Sequence, residues 1–144
     1  MKRSVLACIA GLVTWVIVVS VINRVLRITL PNYTAAEHTL QFTLAMKWAR
    51  LAMAIVTSVA AGFVTGLISP SRPQPRRWAP WIVGCVVLAL FLPLHISIWS
   101  KFPVWYHLTF LLTIVPSVLA GAQLASRRKT AGRKAIHAQQ FLNS

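Results

Sequence analysis

Residues 51–68 read LAMAIVTSVAAGFVTGLI, an apolar run in which the small residues Ala54, Ser58, Gly62 and Gly66 recur at every fourth position. That spacing places all four on one face of a helix. In a bilayer the lipid tails are as apolar as leucine, so helices associate through close backbone approach, and a stripe ending in Gly62 and Gly66 permits that approach. A later apolar run carries Thr109, Thr113, Ser117 and Gly121, again four apart. The two stripes predict a membrane protein in which these helices pack against each other along small-residue seams.

Working outward, the 144 residues are 57% hydrophobic and only 11% charged, against roughly 25% charged in an average soluble domain. The mean hydropathy is +0.68. Four long apolar runs account for most of the chain and predict helices at about 4–23, 44–68, 79–99 and 104–125. The expected fold is all-α, a four-helix transmembrane bundle forming one domain over residues 1–126, followed by a basic tail at 127–144. The first run follows Lys2 and Arg3 like a signal peptide, but it is longer than the usual apolar core and ends in Asn23 and Arg24 with no small-residue cleavage pattern. It therefore reads as an uncleaved membrane helix, with Val13, Val16, Val18, Val19, Val21 and Ile22 facing lipid and Ala7 and Gly11 packing inward.

Fifteen Lys and Arg face a single acid, Glu37, for a net charge of +14. In a soluble chain that balance would suggest nucleic acid. Here the cations gather at the ends of apolar runs, where they set orientation and meet anionic lipid head groups, so lipid is the expected partner and nucleic acid is not. Lys2, Arg3, Arg72, Arg76, Arg77 and the tail's Arg127, Arg128, Lys129, Arg133 and Lys134 lie on one side of the membrane in this plan, against Arg24, Arg27, Lys47, Arg50 and Lys101 on the other. The positive-inside rule then places both termini in the cytoplasm. Cys8 and Cys85 sit singly in different runs and are read as small apolar fillers, with no lasting disulfide expected.

Between the first two runs, Pro31 and Asn32 signal a turn, and Thr34-Ala-Ala-Glu37 matches a capping box from which a short interfacial helix would begin. Residues 69–77, SPSRPQPRR, form a stiff, extended linker. Pro93 and Pro116 fall inside the third and fourth runs and predict kinks. In the tail, Ile136 and Phe141 could dip into anionic lipid as one face of a basic amphipathic segment; a frayed, solvated tail is the alternative.

The stretches 30–37, LPNYTAAE, and 91–110, FLPLHISIWSKFPVWYHLTF, resemble small bacterial inner-membrane proteins of four predicted helices. The resemblance runs from Leu30 to Gly121. It implies a location in the bacterial cytoplasmic membrane and the four-helix plan, with no activity and no functional residue to carry over.

Two constellations are candidates for chemistry. Arg24, Arg27, Lys47 and Arg50 surround Glu37 at the outer side, an arrangement suited to an anionic ligand or lipid head group, or simply to cations that snorkel to the interface while Glu37 tethers one of them. His95 and His107 flank the second outer turn, each roughly 5 to 8 Å below its rim at 1.5 Å per residue, so the two rings can meet. With His38 they would allow a metal or haem site, yet there is no helical His pair and no second carboxylate to support one. The expectation is therefore no metal and no cofactor. Trp99, Phe102, Trp105 and Tyr106, with Trp78 and Trp81 on the opposite side, read as interfacial belts. Ser97 near His95 has no nucleophile elbow and no acid to orient the histidine.

The expected role is non-enzymatic: a scaffold, accessory or assembly subunit of the cytoplasmic membrane, making a homo-oligomer or joining a membrane-protein partner through its small-residue faces. Two alternatives stay open. One is an oligomeric transport or permeation module working near the proline kinks; the other is a membrane enzyme or metal or haem protein using the outer histidines.

Overall fold

The structure is a computed structural model that describes residues 2–69 and 78–142, the side chains of 133–142 excepted. Five α-helices follow in order: α1 (Lys2–Thr29), α2 (Tyr33–Thr39), α3 (Leu44–Ile68), α4 (Trp78–Ser97) and α5 (Val104–Leu142), with one 3-10 turn at Trp99–Lys101. Four of them, all except α2, are long and apolar enough to cross a membrane. Residues 70–77 of the expected linker lie outside the described residues, as do the side chains of Ile136 and Phe141 in the expected amphipathic tail.

Two helices run further than their apolar cores. α1 continues past Asn23 and Arg24 to Thr29 because nothing breaks it before Pro31, and straight-chain Arg favours a helix. α5 keeps helical backbone to Leu142; its 39 residues span roughly 58 Å, about twice the hydrocarbon core, so its basic end projects beyond the apolar layer. Both helices that contain an internal proline, α4 and α5, continue beyond it.

The short helix between α1 and α3 forms by a different device from the expected capping box. Its N-cap is Asn32, in the left-handed region at φ 62°, with no side-chain cap bond, and Leu40 closes it at φ 58°. Thr34 is exposed inside the helix and Glu37 turns away to arginine. A lone carboxylate among fifteen cations gains more from a guanidinium than from a backbone N–H. α3, by contrast, has a side-chain cap: Thr43 Oγ1 accepts from the N–H of Met46 at 3.3 Å.

α3 is the central helix. Half of its most apolar window is buried, against 17% for α1 at the periphery. Its Gly62 lies against the backbone of α5 so closely that a Cβ there would overlap the carbonyl oxygen of Val118. The contact is reciprocal, since a Cβ on Gly121 would overlap the Val59 carbonyl oxygen, and one on Gly66 would come within 2.9 Å of Ala122 backbone. Ala54 and Ser58 are buried along the same side of α3. On α5, Phe110, Ile114, Val118 and Ala122 make the buried ridge, while Thr109, Thr113 and Ser117 lie half-buried beside it. The Thr113 hydroxyl donates back to the Thr109 carbonyl at 2.7 Å, so it asks for no partner on another helix.

α1 packs on a second face of α3, where Gly11 abuts Thr65 and the Ala61 carbonyl. Thr57 and Thr65 donate to the carbonyls of Met53 and Ala61, which lets these hydroxyls be buried among apolar neighbours. Gly11 against Thr65 at one end and Arg27 linked through Glu37 to Arg50 at the other make α3 antiparallel to α1, whereas Trp48 against Trp105, Gly62 against Val118 and Gly66 against Ala122 make α3 and α5 parallel. Cys8, whose thiol meets the Ala79 carbonyl at 3.7 Å, and the Trp15–Phe91 ring pair set α4 alongside α1 in the same direction.

The C-terminal end of α3 is closed by a cation from α5. Lys129 Nζ donates to the carbonyls of Gly66 at 3.1 Å and Ser69 at 2.9 Å. Residue 70 is proline and offers no N–H to Gly66, so the ammonium supplies the missing donor and also meets the negative end of the helix dipole. Lys129→Met keeps the apolar stem and removes these donors. It is expected to lower stability by about 1 to 2 kcal/mol in detergent unfolding, with Lys129→Arg recovering part of the loss; an unchanged midpoint in the Met variant contradicts the capping role.

Candidate functional site

The end of the molecule where α1 finishes and α3 begins is tied together across α2. Arg27 Nε donates to Glu37 Oε2 at 2.6 Å, and an Arg50 terminal nitrogen lies 3.6 Å from Glu37 Oε1. One carboxylate thus joins three helices. Of the five residues read as an anion or head-group cluster, Arg27, Glu37 and Arg50 come together; Arg24 is exposed and Lys47 half-buried.

Around Arg50 stand three residues that the sequence did not single out. Its guanidinium donates to Tyr33 Oη at 3.2 Å and lies over the Phe42 ring, 4.7 Å from the centroid. Tyr33 in turn donates to Asn23 Oδ1 at 3.3 Å. Burial pushes the Tyr33 phenol above its ordinary value, and neighbouring Arg50 only partly offsets that, so at neutral pH the hydroxyl keeps its proton and can accept from one side and donate to the other. Asn23, Tyr33, Phe42 and Arg50 come from three helices and one connection, and no local spacing announces them.

Beneath this cluster lies a cavity of about 260 Å³, walled mainly by Trp15, Met53, Phe91 and Phe110, with Asn23, Glu37 and Arg50 also lining it. Two of its lining residues hold buried N–H groups with no hydrogen-bond partner, Trp15 Nε1 and Arg50 Nε. Buried donors of this kind are uncommon, because each forfeits the hydrogen bonds it would make in water.

Beside it, the two histidines meet. His95 Nδ1 and His107 Nδ1 are 2.8 Å apart, which requires one ring to donate and the other to accept. His107 Nε2 is buried without a partner. A tautomer in which His107 donates from Nδ1 leaves only a lone pair at Nε2, whereas the reverse buries an N–H. Trp99 stacks on His107 at 4.7 Å and Phe110 lies 4.5 Å from His95. His38, in α2, is exposed. Phe102 and Tyr106, read as belt residues, are buried in the core, stacked on each other at 5.0 Å. Trp105, Trp99, Trp78 and Trp81 are exposed, as belt residues are. Among the described residues no three His, Cys, Asp or Glu side chains converge as metal ligands.

Chemically, the site offers a net positive ion triad, a phenol held neutral and two unmet N–H donors above an aromatic cavity. No protein-family model, curated protein or solved structure matches this chain.

Proposed function

We propose that this protein is a non-enzymatic accessory or assembly subunit of a bacterial cytoplasmic membrane, a four-helix bundle with both termini in the cytoplasm. The observation that carries the proposal is the commitment of Glu37. It is the only acidic side chain in the sequence, and both of its oxygens face arginines from different helices. A carboxylate held this way reads as a structural tie and is not poised to change its charge, so proton-coupled transport or acid–base catalysis would have to run on the histidines alone. The orientation rests on the sequence count of Lys and Arg flanking the apolar runs, ten on the side assigned to the termini against five on the other. Partners would be met through the broad apolar surface of α1, where Val5, Ile9, Val13 and Val16 are exposed.

Isolation in mild detergent, with identification of whatever co-migrates, tests this directly. A membrane protein recovered in fixed stoichiometry, or a discrete homo-oligomer, is the expected result. Solute uptake into proteoliposomes containing this chain alone would replace the proposal with a transport role.

A further inference from the structure

The geometry of the His95–His107 pair fixes how many protons it can hold. The two Nδ1 atoms are 2.8 Å apart and share one proton, so in the neutral pair a single Nε2 carries the other. A third proton leaves the bond intact only if both Nε2 atoms are N–H. His107 Nε2 is buried with no hydrogen-bond partner, so that state seals in an N–H without an acceptor. A fourth proton would have to enter on the second Nδ1, and two N–H groups cannot face each other at 2.8 Å. The closed pair thus resists the first added proton and excludes the second.

The surrounding groups do not rescue the charged forms. Tyr106 of α5 stacks on His95 with ring centres 6.1 Å apart, and from α3 the charged group facing His95 is Arg50. Beyond Arg50, α2 supplies Tyr33, which accepts from the guanidinium, and Glu37, whose oxygens face Arg50 and Arg27 of α1. Lys101, in the 3-10 turn, is exposed. Glu37 is the only acidic side chain in the sequence, so no side-chain carboxylate is left to balance a cation on the pair. Trp99, stacked on His107, offers a face that favours a cation but no acceptor for the buried N–H.

We propose that the pair is an acid-sensitive latch that pins the end of α4 to the start of α5, closed while both rings are neutral and released when both take a proton. Separated and wetted, each ring binds its own proton, so the open form holds up to two more than the closed one, and falling pH favours it. For rings with the ordinary pKa of about 6.5 once in water, the opening equilibrium rises roughly 100-fold between about pH 7.5 and 5.5. The latch is independent of the accessory-subunit reading and of any partner.

Nitrogen-15 spectra of the histidine side chains, recorded on the full-length protein in dodecylmaltoside from about pH 7.5 to 4.5, follow each ring through the range where histidine titrates. His95 and His107 should take up their protons together, with a Hill coefficient approaching about 2, while the exposed His38 titrates with a coefficient of about 1. Amide exchange, corrected for the intrinsic rate at each pH, reads the opening itself. Protection at Ile98, Lys101 and Tyr106, whose N–H groups bond within the turn, should fall roughly 100-fold between about pH 7.5 and 5.5. The double variant His95→Asn/His107→Asn sets an amide near each Nδ1 position, keeps a donor facing an acceptor and cannot titrate, so its protection should not change with pH. Should that variant fail to fold, the wild-type titration decides alone. A single proton taken up by the pair with the bond kept, both rings neutral across the whole range, wild-type protection independent of pH, or pH-dependent protection in the Asn pair would each overturn the latch.

Discussion

Gly62→Ala is expected to destabilise the protein by about 3 kcal/mol or more, although alanine is the better helix former by about 1 kcal/mol. The added methyl falls on the Val118 carbonyl oxygen, and a backbone carbonyl inside a helix cannot swing aside as a side chain would. Relief requires α3 and α5 to separate, which loosens the reciprocal contact at Gly121 and the one at Gly66. Two other glycines supply internal controls. At Gly84 a Cβ would meet Val115 at 3.4 Å, ordinary contact, so Gly84→Ala should shift the unfolding midpoint little. Gly132 has nothing within 4 Å, and Gly132→Ala should be neutral or stabilising by up to about 1 kcal/mol. The measurement is the midpoint of thermal or SDS-induced unfolding in detergent for the three variants. If Gly62→Ala ranks with Gly84→Ala, the helices do not meet along this line.

This seam shows how far the sequence reaches. Gly62 and Gly66 stand out because their period of four matches one helix face, and the absence of side chains at those positions has a purpose only where another backbone comes close. The partner's register is harder to read. Thr109, Thr113, Ser117 and Gly121 share the same period, and Gly121 does meet α3, yet the other three lie half-buried beside the buried row of Phe110, Ile114 and Val118, and the Thr113 hydroxyl is satisfied within its own helix. Local rules also lose to long-range charge. Thr34 and Glu37 have capping-box spacing, but Glu37 finds two arginines that are distant in sequence. The meeting of His95 with His107 follows from simple depth arithmetic on either side of one turn. The cavity does not, since Trp15 and Asn23 come from α1, Arg50 from α3 and Phe110 from α5, and only the packing of those three helices brings them together.

The ion triad at the opposite end from Lys129 yields the second large effect. Glu37→Gln nearly preserves shape and removes the only negatively charged side chain in the sequence. Arg50, its side chain 28% exposed and held over Phe42 with one donor already unmet, would then keep a poorly solvated positive charge without its counter-ion. Breaking a deeply buried pair costs roughly 3 to 5 kcal/mol; partial exposure of this one brings the expectation to about 2 kcal/mol. Arg27 carries the shorter contact but is 44% exposed, so water replaces much of what it loses, and Arg27→Gln should cost under about 1 kcal/mol despite its 2.6 Å geometry. Distance alone would rank the two arginines the other way. The decisive comparison is a double-mutant cycle read by unfolding midpoint: coupling between Glu37 and Arg50 should exceed that between Glu37 and Arg27 and should fall less when salt is raised, because screening acts mainly on the exposed pair. Equal couplings, or a larger one for Arg27, would mean that burial is not what gives the triad its strength, and Glu37 would then be an exposed surface ion pair with no hold on α3.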